Sequence, residues 1–134
     1  RTLTSDLCRQ AVLEKRMEMR TDGLQERNFI TKTDIARAVH HLIVLPTTDA
    51  SNGLFNLGGS KSQTLLAMAN MIQERAQNKF GVEIPLHRPE PTATQTQHLN
   101  FDIHKLLNTG FSLTEDALGE VDEFLDMIEL HHQS

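Results

Sequence analysis

"RNFITKTDIARAVHHLI", residues 27–43, is the stretch on which the reading of this chain turns. It opens with Arg27 beside an apolar, β-prone pair, Phe29-Ile30. At Thr33-Asp34 the pattern changes to helical spacing, with Ile35, Ala38, Val39, Leu42 and Ile43 on one stripe. A strand feeding a helix, with apolar residues fixing the backbone at its start, is a good mount for a planar charged fork. The guanidinium suits phosphate oxygens because it is always charged and donates in pairs. The blander reading is a surface ion pair with Asp22 or Glu26, worth ~0–1 kcal/mol. Spacing alone does not separate the two.

Upstream, Thr4-Ser5-Asp6 offers capping oxygens and Leu7, Ala11 and Val12 follow at helical spacing, so about 4 to 15 reads as a helix. "MEMR" at 17–20 alternates like a short strand, "TDG" at 21–23 is a turn, and "NFIT" is a second short strand. Together, 17–31 reads as a hairpin with a long loop. Downstream, Pro46 stops the helix, "TTDASNG" is loop, and "LFNL" at 54–57 is a short apolar strand ending in Gly58-Gly59. A helix from about 65 to 79 has Thr64 as N-cap and Gly81 as its left-handed stop. "VEIPL" is a strand that Pro85 demotes to an edge, and "RPEPTATQTQ" at 88–97 is a surface loop. "DIHKLLNTG" is a short helix ended by Gly110; Ser112 and Glu115 have capping-box spacing before a last helix to about 131, on Leu118, Val121, Leu125 and Ile128. The sum is helix-rich α/β with few short strands, and "LFNL" needs neighbours that these residues do not supply.

The 134 residues amount to one domain with one modest core, and the chain begins at Arg1, which suggests processing or a piece cut from something longer. A net charge of -5 argues against a nucleic-acid backbone as the main partner. One cysteine, Cys8, allows no internal disulfide and fits a reducing, cytoplasmic setting. No apolar run approaches the ~20 residues of a membrane span. There is no tyrosine, so a tyrosine acid or base is excluded for these residues.

Several tempting motifs fail on spacing. Gly58-Gly59-Ser60-Lys61-Ser62 follows a strand and precedes a helix, but it fits neither G-x-x-x-x-G-K-[ST] nor G-x-G-x-x-G and reads as a plain turn. The adjacent pairs His40-His41 and His131-His132 lack the i, i+4 spacing of a helical metal site, so surface or half-buried histidines are expected and no metal. Cys8 reads as a buried structural thiol, and no Ser-His-Asp set emerges.

Taken in order, "EKRMEMRTDGLQERNFITKTDIARAV", "GLFNLGG", "TLLAMANMI" and "FDIHKLLNTGF" resemble the C-terminal third of an extended short-chain dehydrogenase/reductase of the nucleoside-diphosphate-sugar epimerase/dehydratase type. That family's G-D-G-x-x-x-R-D-F-x-x-V-x-D-V-A is matched by Asp22-Gly23, Arg27, Phe29 and Asp34-Ile35-Ala36, without a gap. Asn56 and Gly58 match its later N-x-G, and Asp102, Lys105, Gly110 and Phe111 match D-x-x-K-x-x-x-x-G-(F/W). Thr21, Asn28 and Lys32 depart from the pattern.

The resemblance implies a substrate-binding lobe over 1–134, with the Rossmann core, its Gly-rich dinucleotide loop and its Tyr-x-x-x-Lys all absent from these residues. It implies no catalytic residues and no cofactor held here, with NAD(P) serving the full-length parent, an isomerase or oxidoreductase. The expected partners are a nucleoside-diphosphate sugar and the missing N-terminal Rossmann domain, with self-association through an exposed strand, and neither nucleic acid nor membrane. Arg27 would hold the diphosphate, Arg88 is the only candidate for the family's second phosphate-binding arginine, and Met17 and Met19 would offer the nucleobase backbone groups or a soft apolar wall. The rival is a stand-alone α/β ligand- or protein-binding module. An upstream reading frame with a Gly-rich βα turn and Tyr-x-x-x-Lys would favour the enzyme.

Overall fold

The computed structural model describes residues 3–45, 57–60, 62–90 and 102–133. Three helices form the main body: α1 (Leu3–Leu13), α3 (Leu65–Phe80) and α5 (Ala117–Gln133). Each turns one apolar face inward. Leu7, Cys8, Ala11 and Val12 meet Met68, Ala69, Ile72 and Ala76, and Val121 and Leu125 close the cluster. The numbering of α2 (Lys32–Val44) and α4 (His104–Leu107) follows chain order; Ala38 and Leu106 from these two join Phe111 in a second, smaller core. The helix-rich α/β class expected from the sequence is what the structure shows.

Among the described residues the strands are very short and form two separate pairs. β1 (Met17–Glu18) lies parallel to β4 (Leu86–His87), with Met17 opposite Leu86. β2 (Glu26–Asn28) lies antiparallel to β3 (Ser62–Thr64), with Arg27 opposite Gln63. The expected hairpin over 17–31 is therefore not formed, and its two arms take different partners. The N–H of Met17 donates to the carbonyl of Pro85 at 2.9 Å, and that of Met19 to His87 at 2.9 Å. Glu18 N–H goes to the Gln10 side chain at 2.6 Å. With these three donors taken, residues 17–19 have no N–H left for a return strand. Pro85 keeps only the role a proline can have beside a sheet, that of acceptor.

The helix boundaries follow local chemistry more closely. Thr31 caps α2 by accepting from Asp34 N–H, and Thr64 caps α3 by accepting from Ala67 N–H. Gly81 ends α3 at φ 66. The expected Ser112–Glu115 capping box does not form. Asp116 accepts from Gly119 N–H at 3.0 Å, while the Glu115 carboxylate reaches away to Ser60 N–H at 2.9 Å. On α2 the apolar stripe is wider than the buried face: Ala38 is fully buried, but Ile35, Val39 and Ile43 are exposed. The "LFNL" strand falls largely on residues 54–56, outside the described residues.

Candidate functional site

The region around Arg27 is built from the turn outward. Asp22 accepts from Leu24 N–H at 3.1 Å, and Thr21 accepts from Gly23 N–H at 3.2 Å. Gly23 sits at φ 77, which only glycine adopts without strain, and its carbonyl receives Leu66 N–H at 2.9 Å. The turn is thus pinned to the start of α3. Arg27 follows at the centre of β2. Its neighbour Asn28 clamps the strand end to Gly59 twice: the amide donates to the Gly59 carbonyl at 3.0 Å and accepts Gly59 N–H at 2.8 Å. An aspartate could not make the first of these bonds, which gives the departure at Asn28 a physical reason.

Against this frame lies a cleft of about 490 Å³ between α1, β1 and β2. Leu7, Met19, Phe29 and Leu65 supply its apolar surface, and Arg20 and Arg27 its cations. Of the four residues singled out from the sequence, Arg27 and Met19 meet here. Met17 is fully buried in the core, with its N–H spent on Pro85. Arg88 does not line the cleft and donates to the carbonyl of Asp22 at 2.8 Å, bracing the turn from outside. Arg20, Gln10 and Gln25 also line the cleft and were not singled out. The alternation of 17–20 carried the signal for Arg20: it puts Arg20 on the face opposite the two buried methionines.

A second hollow, of about 320 Å³, lies on the other side of β2 and is bordered by Asp34, Glu115 and Glu120. Its carboxylates are structural. Asp34 accepts from Thr114 N–H (2.9 Å), the Thr114 hydroxyl (2.8 Å), Glu115 N–H (2.8 Å) and Arg37 (3.0 Å). Burial alone would raise the Asp34 carboxyl, but these bonds together hold it below the ordinary carboxylate range. Glu120 accepts from Lys32 N–H at 2.8 Å. Among the described residues no cluster of His, Cys, Asp or Glu is fit to hold a metal ion. Cys8 is fully buried, and its thiol is pushed up to about 12 by burial and then by the charge of Glu120. It is no nucleophile.

The turn at 58–60 does not fit a dinucleotide. The N–H groups that would cradle a pyrophosphate are engaged, Gly59 by Asn28 and Ser60 by Glu115. Among the described residues no helix is long and apolar enough to cross a membrane.

Helices α1, α3 and α5 with the two short strand pairs make a fold shared with part of solved sugar-nucleotide epimerases and dehydratases. RMD from Pseudomonas aeruginosa, solved with NADPH, superposes at a TM-score of 0.76 with 16% identity, over 97% of this chain and 43% of its own. UDP-glucuronic acid 4-epimerase from Bacillus cereus, solved with UDP-glucuronic acid and NAD, gives 0.72 and 18%, over 97% and 40%. The dTDP-glucose 4,6-dehydratase of Bacillus anthracis, solved with NAD, gives 0.66 and 16%, over 98% and 40%. The chain thus spans about two fifths of the solved chains it resembles. No family model matches the sequence, and no curated protein does.

Proposed function

We propose that these residues are the substrate-binding lobe of an NAD-dependent sugar-nucleotide epimerase or dehydratase, and that the lobe grips the nucleoside-diphosphate end of the substrate. The observation that carries this is the position of Arg27. It sits on a strand clamped at both ends, opens into a cleft with a buried apolar side, and has no hydrogen-bond or ion-pair partner among the described residues. A guanidinium so placed can grip a phosphate without first giving up another contact. Met19 supplies a soft wall for the nucleobase. Binding energy gathered at the nucleotide end would orient the sugar, the reacting part, towards groups carried elsewhere. In that scheme NAD supplies the hydride chemistry and is held outside these residues.

Calorimetric titration tests this directly. UDP should bind the 134-residue chain, and NAD should give no isotherm near the micromolar range. Arg27→Ala should weaken UDP by roughly ten- to a hundredfold, the value of a charge-assisted phosphate contact. Arg27→Lys should recover only part, because a point charge replaces a fork. UDP binding that is indifferent to Arg27→Ala would return this arginine to a surface role, and a clear micromolar NAD isotherm would overturn the assignment.

A further inference from the structure

Arg27 is the middle residue of a three-residue strand whose ladder to β3 ends at the pair Asn28–Ser62. Past that pair Phe29 borders both hollows, so the segment continues as a partition between two open spaces. This end of β2 is held by the Asn28 side chain. Gly59 is buried, and one planar amide satisfies both of its backbone groups, accepting its N–H at 2.8 Å and donating to its carbonyl at 3.0 Å. The turn is fixed from its other side as well. The Glu115 carboxylate accepts Ser60 N–H at 2.9 Å, and Glu115 N–H donates to Asp34 at 2.8 Å. Glu115 does this at φ 53, a left-handed backbone that is strained for a residue with a long side chain. A strained residue thus fastens the turn to the buried anchor at Asp34, and Asn28 fastens β2 to the turn.

Resting on the proposed function, we infer that Asn28 is a positioning residue for Arg27. Its amide fixes the backbone from which the guanidinium reaches into the cleft, and it needs a donor and an acceptor together to do so. Aspartate has nearly the same size, but ionised it offers only acceptors and sets a carboxylate against the Gly59 carbonyl. Protonated, the acid regains an O–H donor and matches the amide. One substitution therefore separates the hydrogen-bonding role of Asn28 from its bulk.

The test is calorimetry with UDP on the 134-residue chain, for the unaltered protein, Asn28→Asp, Arg27→Ala and the double variant. Near neutral pH Asn28→Asp should weaken UDP roughly tenfold. Measured against the unaltered chain at the same pH, that loss should shrink towards nothing at about pH 4, where the acid takes up its proton. In the Arg27→Ala background Asn28→Asp should cost no further affinity, because Asn28 acts through Arg27. A residue that only supports the fold would weaken UDP equally with and without Arg27, and that result overturns the inference alone. So does an Asn28→Asp chain that binds UDP like the unaltered one while Arg27→Ala does not. If Asn28→Asp fails to fold, Asn28→Ala, which adds no charge beside Gly59, takes its place in the cycle with the same two readings. If the unaltered chain does not bind UDP at millimolar concentration, the proposed function falls and the inference with it.

Discussion

Asp34 is 1% exposed yet charged, and it stays charged because every donor around it points at its two oxygens. From α2 it holds the segment at 114–115, so a helix and a loop far along the chain share one anchor. Its carboxyl is depressed in the folded state, so its stabilisation is complete above the unfolded value of about 3.9 and is lost as pH falls through the lower folded value. Asp34→Ala removes the acceptor shared by the Thr114 and Glu115 N–H groups and the Thr114 hydroxyl and should cost about 2 kcal/mol near neutral pH by urea unfolding. The gap between the two proteins should narrow only below about pH 4. A gap that already closes near pH 6 would show that another group carries the effect. Sequence reading marked the position of Asp34 as the start of a helix and matched it to a family pattern. Its burial, which decides its role, depends on a loop some eighty positions away and left no local trace.

At the scale of elements, what was legible depended on whether the determining contacts are local. The ends of α3 were read correctly because a threonine cap and a left-handed glycine act within one turn. Among the strands only β1 was placed well: the expected strands at 28–31 and 82–86 touch β2 and β4 only at Asn28 and Leu86, β3 was not foreseen, and the partner of Met17 is Leu86, because two- and three-residue strands carry no periodic signal. The capping box before α5 failed because Glu115 had a remote partner in Ser60. The turn at 21–23 joins the elements that build the cleft, and its glycine is the sensitive point. A Cβ on Gly23 would lie 2.5 Å from Met19 Cε and 3.0 Å from Leu66 N, at a φ that already disfavours a side chain. Gly81 has a similar φ but open space around it. Gly23→Ala should therefore destabilise by about 2 kcal/mol and Gly81→Ala by about 1 kcal/mol, both read from denaturant midpoints. Gly23→Ala should also weaken UDP binding, since the displaced Met19 forms a wall of the cleft. Equal losses at the two glycines would show that the Met19 contact has no consequence.

At the scale of the whole molecule, the face of α2 is the feature that its own core does not explain. Ile35, Val39 and Ile43 follow one another at helical i, i+4 steps, and Ile43 is 75% exposed, with Val44 beside it at 62%. A lone exposed aliphatic residue is ordinary, but a row of them is the pattern of a face that packs against something. In sequence the row merged with Ala38 and Leu42 into one stripe, and only the fold divides the buried half from the exposed half. Under the proposed function this row is covered by the nucleotide-binding part of the enzyme. In the 134 residues alone it is open to water, so copies should associate through it, rather than through residues 54–57 as the sequence suggested. Light scattering over a concentration series should show mass rising with concentration. Ile43→Lys with Val39→Glu should suppress that rise while leaving the unfolding midpoint within about 0.5 kcal/mol, because both positions are outside the core. UDP affinity should be unchanged, since α2 contributes nothing to the cleft. A chain that is strictly monomeric at high concentration, or whose association survives the double substitution, would remove α2 as the contact face.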